Sequence, residues 1–285
     1  MKLGIESAAY LNRYGLEKGA ERMKKHGYDC VDYQDFCHTE TEFFNLPERE
    51  FEKELSRQRA IINGAGIGVS QAHAPWRCPA MDSTPEERRV RFDQMAKAIR
   101  GCAYIGAENF VIHAIMPFGT NSPDRPDEMR DINHEFMSGL VDVAREYGNI
   151  VINLENLPFP SLPINHTCQV IDFVKRMNSP LFKVCIDTGH SNFCGEAPKD
   201  AVLLAGELLG TLHVHDNMGD RDSHLVPGKG NIDWQGFADA LRRVNFAGTL
   251  SFETAAPVCS DPEETEKEEI RLAEIGKAMI LGSYT

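Results

Sequence analysis

Residues 182–190 read FKVCIDTGH (Phe182–His190), and the fold turns on how this stretch is parsed. Phe182 to Ile186 are apolar apart from Lys183, as in a short buried strand, and the chain then turns polar at Asp187 and His190 with Gly189 between them. The same sequence of events recurs along the chain. Comparable runs are KLGIESA (2–8), CVDYQD (30–35), GVSQAHAP (68–75), NFVIHAI (109–115), IVINLEN (150–156), TLHVHDN (211–217) and GTLSFET (248–254). Between them lie segments of helical period, among them GLEKGAERMKKHG (15–27), TPEERRVRFDQMAKAIRGCAYIG (84–106) and RPDEMRDINHEFMSGLVDVAREYG (125–148). Thr84 with Pro85 and Glu87 forms a capping-box pattern, and SDPEETEKEEI opens a last helix at Pro262, with glutamates suited to the positive end of its dipole. Eight strand–helix units without a Ser/Gly linker predict a parallel (β/α)8 barrel, one domain over residues 1–285, a length that suits this architecture. No GxGxxG turn follows the first strand, which argues against the dinucleotide-binding doubly wound fold.

Composition narrows the partners. Thirty Lys and Arg against 43 Asp and Glu give a formal charge of −13, and no basic run tracks a phosphate backbone, so nucleic acid is a disfavoured partner. The opening MKLGIESAAYLNRYG (Met1–Gly15) lacks the apolar core of a signal peptide, and no segment approaches the roughly 20 apolar residues of a membrane span. A cytoplasmic protein is expected. The cysteines at 30, 37, 78, 102, 168, 185, 194 and 259 contain no CxxC pair, predict no disulfide, and show no metal-ligand spacing.

Chemistry gathers where the strands end. The third ends at His73, the fourth at His113, the fifth at Glu155, the sixth at Asp187 with His190, the seventh at His213 and the eighth at Glu253. In such barrels the carboxyl ends of the strands build the active site, so these residues should converge. A single strand-end histidine is ordinarily a hydrogen-bonded structural group. Seven ligand-type residues at six consecutive ends are different, because burying unpaired carboxylates and imidazoles together is costly without a cation. Glu, Asp and His without thiolates suit Mn²⁺, Co²⁺, Mg²⁺ or Zn²⁺. The loop after the seventh strand, NMGDRDSHLVPGKG (217–230), adds Asp222 and His224, either as further metal or substrate ligands or as parts of a polar lid turned by Pro227, Gly228 and Gly230. Trp76 and Phe118 are candidates for stacking on a substrate, against a bland packing role. Lys229 reads as a solvated loop lysine.

The pieces INLEN, VCIDTGH, LHVHDN, DSHLVPGKGNIDW and LSFET, in this order, resemble the xylose isomerase-like TIM-barrel superfamily, which includes sugar and sugar-phosphate isomerases and epimerases and the AP endonuclease IV family. The resemblance implies a divalent metal on Glu155, Asp187, His213 and Glu253, with His190 touching substrate oxygen. It favours His213 over the runner-up His215 because an acid, Asp216, follows three positions later. The arginine that the epimerases carry after this histidine has an approximate counterpart in Arg221. The three-zinc pattern of the endonuclease branch is also met, by His73, His113, Glu155, Asp187, His190, His213, Asp222, His224 and Glu253.

The leading expectation is a metal-dependent sugar isomerase or epimerase. The metal chelates a carbonyl and a neighbouring hydroxyl and stabilises an enediolate, Glu155 and Glu253 remove and return the proton from opposite faces, and His190 shuttles a proton between oxygens. Competing expectations are a zinc-cluster phosphodiesterase, a sugar lyase or dehydratase, and a non-catalytic carbohydrate-binding barrel. Pairing into a homo-oligomer through the outer helices is compatible with all of these.

Overall fold

Eight parallel strands, β1 (Lys2–Glu6), β2 (Cys30–Tyr33), β3 (Gly68–His73), β4 (Asn109–Ile112), β5 (Val151–Glu155), β6 (Phe182–Asp187), β7 (Leu209–His213) and β8 (Thr249–Phe252), alternate with helices in a (β/α)8 barrel. The computed structural model describes residues 1–76, 82–120 and 124–284. Strands β1 to β7 pair in chain order and β8 pairs with β1. The ring closes where Val214 N donates to Ser251 O (2.8 Å) and Glu253 N donates to Val214 O (3.2 Å).

The helices are α1 (Leu16–His26), α2 (Glu48–Gly64), α3 (Pro85–Ile105), α4 (Pro126–Glu146), α5 (Thr167–Met177), α6 (Thr188–Phe193), α7 (Pro198–Ala205), α8 (Trp234–Arg243) and α9 (Pro262–Leu281). Their starts follow the capping chemistry of the sequence. Thr84 Oγ1 accepts from Glu87 N (3.1 Å) while Thr84 N donates to Glu87 Oε2 (2.9 Å), closing the capping box of α3. Asp261 Oδ1 accepts from Glu263 N (2.9 Å) at the head of α9.

The stretch FKVCIDTGH divides into two elements. Its strand ends at Asp187, whose Oδ1 accepts from His190 N at 2.6 Å and so caps the short helix α6. His190 therefore stands on a helical turn above the strand end, because an aspartate at this point offers the backbone a cap that competes with strand continuation. Likewise β1 runs directly into a π-helical turn at Ala8–Asn12.

Alternate strand residues point outward and inward. The outward set, including Leu3, Ile5, Val31, Phe110, Ile152, Leu154, Val184, Ile186, Leu212, Leu250 and Phe252, is buried in one continuous apolar core under the helices. The inward set is unusual for a barrel interior, which branched aliphatic side chains ordinarily fill. Here Asp32, Gln71, Asn153, Cys185, Thr211 and Ser251 are polar or small, and all are buried. The seven described cysteines are unpaired, and Cys78 lies outside the described residues. Among the described residues no helix is long and apolar enough to cross a membrane.

Candidate metal centre and active site

Glu155, the last residue of β5, is fully buried at the centre of the strand-end cluster. Its Oε2 lies 3.1 Å from His113 Nε2 and 3.4 Å from His73 Nε2, and its Oε1 lies 3.1 Å from His213 Nδ1 and 3.5 Å from His190 Nδ1. Glu253 Oε2 reaches the same His213 Nδ1 at 3.3 Å. A second focus forms on Asp222 Oδ2, 3.1 Å from His190 Nε2 and 3.4 Å from His224 Nε2. Asp187 sends Oδ2 to His215 Nε2 at 2.9 Å and Oδ1 to the α6 backbone. All nine residues singled out by the sequence thus converge on one end of the barrel. The carboxylate of Asp187 meets the rest through His215 and His190, while its neighbour across the strand pair is His213.

The orientation of the imidazoles carries chemical information. Nδ1 of His73 lies 2.8 Å from Ala74 O, Nδ1 of His190 lies 2.9 Å from Asn156 O, and Nδ1 of His224 lies 2.7 Å from Glu253 O. A carbonyl oxygen only accepts, so each of these Nδ1 atoms carries a proton. In the neutral ring Nε2 is then a lone pair, and in all three it faces a carboxylate oxygen of Glu155 or Asp222. Two acceptors face each other in each case, which is tolerable only with a further proton or a cation between them. Among the described residues no lysine or arginine pairs with Glu155, Asp187, Asp222 or Glu253, so the donor set fits a divalent cation held by nitrogen and oxygen. Separate groupings of ligand atoms close enough to share an ion include His73 with His113 and Glu155, and Asp187 with His190 and His215.

Titration follows from the same geometry. Burial works against ionised Glu155, but His213 and His113 outweigh it and hold the carboxyl well below the usual range. Burial likewise opposes Asp187, yet His190 and His215 draw it down to about 2. His190 is lifted to about 10, burial being overcome by Asp187 and Asp222. His224 also rises to about 10, its burial outweighed by the bond to Asp222 and the charge of Glu253. Glu253 moves the other way, raised first by burial and then by neighbouring Glu155.

Asp216 organises the loop that brings in Asp222 and His224. Fully buried, it accepts from the backbone of Asn217 (2.9 Å), Gly228 (2.9 Å), Gly230 (3.0 Å) and Ile232 (3.3 Å) and from Trp234 Nε1 (2.9 Å). A Cβ on Gly230 would come within 2.2 Å of Asp216 Oδ1, which is why the tight PGKG turn needs glycine there. His224 sits at φ 43°, a left-handed conformation uncommon outside glycine, and its ring stacks on His215 at 3.9 Å. Thr254 Oγ1 donates to its carbonyl at 2.6 Å and helps hold that conformation.

A cavity of about 480 Å³ opens above the cluster. His73, His113, Glu155, His190, Asp222, His224 and Glu253 form its floor, and Trp76, Met95, Ile115, Met116, Leu157 and Phe159 form an apolar wall. Trp76 is 49% exposed and lies 6.4 Å, ring to ring, from His113. Phe118 instead packs under the guanidinium of Arg125 at 4.0 Å, and the exposed Arg221 and Lys229 do not line this cavity.

Three residues near the site escaped the sequence reading. Asp32 Oδ2 on β2 is 3.1 Å from His213 Nε2, at ion-pair distance though off the line of a hydrogen bond. Glu6 ends β1 and is raised to about 7, chiefly by burial and then by Glu253 and Asp32. Cys185, two residues before Asp187 on the inward side of β6, groups with Glu155 and His213 despite lacking any ligand spacing in the sequence. The available signal was strand parity: a residue two before an inward strand end faces inward too.

A family model described as xylose isomerase-like TIM barrel matches residues 20–274. A D-psicose 3-epimerase of Enterocloster bolteae is 26% identical over 259 residues, covering 89% of this chain and 82% of its own. An inosose isomerase of Bacillus licheniformis is 23% identical over 265 residues, covering 90% of each. Among solved structures, that of a D-psicose 3-epimerase in the presence of D-fructose superposes with a TM-score of 0.77 at 22% identity, covering 99% of this chain and 100% of that one.

Proposed function

Since the chain belongs to the xylose isomerase-like TIM-barrel family, we propose that it is a divalent-metal-dependent isomerase or epimerase of sugars that moves a proton at the carbon next to a carbonyl. Relatives named as a psicose 3-epimerase and an inosose isomerase, each aligned over about nine-tenths of this chain, support a carbohydrate substrate. The observation that carries the reading is the approach of Glu155 and Glu253, from the ends of β5 and β8, to His213 Nδ1 beneath an open cavity.

Glu155, Asp187, His213 and Glu253 would hold the ion. When bound, it supplies Lewis-acid polarisation of the carbonyl and offsets the negative charge that grows as the proton leaves. One glutamate removes the proton from one face of the sugar and the other returns it from the opposite face. His190, anchored by Asn156 O and facing Asp222, would exchange a proton with a substrate hydroxyl. Trp76 offers an aromatic surface to the sugar's apolar face. Among the described residues the cavity's one guanidinium, Arg91, lies 3.5 Å from Asp82, so the lining presents imidazoles and carboxylates to hydroxyls and favours an uncharged sugar over a phosphorylated one.

The reading is tested by solvent deuterium incorporation across a panel of ketoses and aldoses. The wild type exchanges the proton at the reacting carbon. Glu155→Gln and Glu253→Gln each lose about 10²–10⁴-fold in that exchange while retaining sugar binding. Exchange that persists in both variants rejects the assignment. A second reading, a multi-ion phosphodiesterase, is favoured by the separate ligand groupings on Glu155 and around His190, and cleavage of an abasic-site duplex at catalytic rates would establish it.

A further inference from the structure

The imidazoles of the cluster differ in what stands behind them. His73, His190 and His224 each turn Nδ1 to a backbone carbonyl, a support that no substitution removes. His213 is reversed: Nδ1 faces Glu155 and Glu253, and Nε2 faces Asp32 Oδ2 at 3.1 Å. Both groups are fully buried. Asp32 is itself held, accepting from Gln71 Nε2 at 2.7 Å and from Ser251 Oγ at 3.3 Å. The same Gln71 amide reaches Leu212 O at 3.3 Å, so β2, β3, β7 and β8 are tied together directly beneath His213.

We propose that Asp32 is the positioning residue for His213, placing its ring proton on Nε2 so that the Nδ1 lone pair faces Glu155 and Glu253 as the metal-ligating atom. This rests on the proposed role of His213 as a ligand. A neutral imidazole has one lone pair, and the wrong tautomer would present an N–H to the ion. A carboxylate behind a ligating ring fixes both tautomer and orientation and strengthens the ligand. Burying Asp32 without an arginine or lysine is costly, and among the described residues His213 is the group at ion-pair distance that offsets it. The runner-up His215 is set differently: its Nε2 lies 2.9 Å from the acceptor Asp187 Oδ2, while its Nδ1 is buried without a hydrogen-bond partner.

The test is a Co²⁺ titration of the full chain, followed by visible absorption with a competing chelator, for the wild type, Asp32→Asn, Asp32→Ala, Glu155→Gln and His213→Gln. Both Asp32 variants are expected to bind Co²⁺ about 10–100-fold more weakly. In the Co²⁺-loaded wild type, a hyperfine-shifted exchangeable N–H that His213→Gln removes should fade into solvent exchange in Asp32→Ala. A purely structural Asp32 would lower the melting temperature of metal-free protein and leave both readouts unmoved, which overturns the proposal while the proposed activity stands. Wild type that binds no Co²⁺, or undiminished binding in both Glu155→Gln and His213→Gln, overturns the metal reading itself. Should the Asp32 variants not fold, Gln71→Leu and Ser251→Ala each remove one donor to Asp32 and decide by the same criteria, with a smaller loss expected.

Discussion

At the scale of single residues, Asp216 shows how one buried carboxylate specifies a loop. Its two oxygens accept five hydrogen bonds, four of them from backbone N–H groups between Asn217 and Ile232. Asp216→Ala leaves these donors without an acceptor, and we expect a loss of about 3 kcal/mol or more in urea unfolding, together with new proteolytic cleavage between Met218 and Gly230. Asp216→Asn, which keeps one oxygen, should fall between. An unchanged digestion pattern in Asp216→Ala would show that the loop is held by other means. In the sequence Asp216 is legible only as the acid three positions after His213, and its role becomes visible once the turn at Gly228 and Gly230 folds back on it. His73, His113, Glu155 and Glu253 were legible because strand-end position alone decides whether a barrel residue reaches the site. Asp32 was not, because Gln34 and Asp35 follow it in CVDYQD and mask where the strand ends; the structure ends it at Tyr33.

At the scale of elements, α1 and α9 are joined by a buried charge cluster that periodicity does not reveal. Glu269 on α9 is almost fully buried and accepts from Tyr14 Oη (2.5 Å), Arg22 Nε (2.6 Å) and Arg13 Nη1 (3.3 Å). Glu269→Ala should cost about 3 kcal/mol in urea unfolding, the lower end for breaking a buried pair because Arg22 keeps some contact with water. Next to it, His26 Nδ1 lies 2.8 Å from Tyr10 Oη, and burial outweighs the pull of Glu266 to lower this histidine's affinity for protons. A group whose folded value is depressed binds more protons when unfolded, so its contribution is fully present above its unfolded value near 6.5 and fades as pH falls below it. Urea midpoints at pH 7.5 and 5.5 should therefore drop further in the wild type than in His26→Phe, and equal drops would remove His26 from the account. Helix starts such as Thr84 and Asp261 were legible because a cap is a local signal. Helix α6 was not, since the same Asp187 that ends a strand also begins a helix, and sequence alone does not choose between them.

At the scale of the whole molecule, eight alternating units were enough to read the barrel, but not that its interior would be polar. That interior has a thermodynamic consequence, because the strand ends bring Glu155, Asp187, Asp222 and Glu253 together with imidazoles as their compensation. In metal-free protein the raised affinities of His190 and His224 mean that protons fill this role at neutral pH. On the proposed reading, an ion on Glu155, Asp187, His213 and Glu253 brings positive charge beside His190 and displaces protons from the cluster. Addition of Mn²⁺ or Co²⁺ to chelator-treated protein in weak buffer at pH 7 should acidify the solution. An ion that binds the folded chain alone at a hundredfold excess over its Kd adds about 2.7 kcal/mol, which for a chain of 285 residues raises the melting temperature by about 4–5 °C. Acidification and a reversible shift of this size, with about one ion per chain by elemental analysis, support the isomerase or epimerase reading. About three zinc ions per chain would instead mean that His73, His113, Asp222 and His224 are ligands too, and would move the chemistry toward phosphodiesters despite the net charge of −13. If neither protons nor melting temperature respond to any divalent ion, the imidazolium–carboxylate network is itself the finished structure and the barrel works without metal.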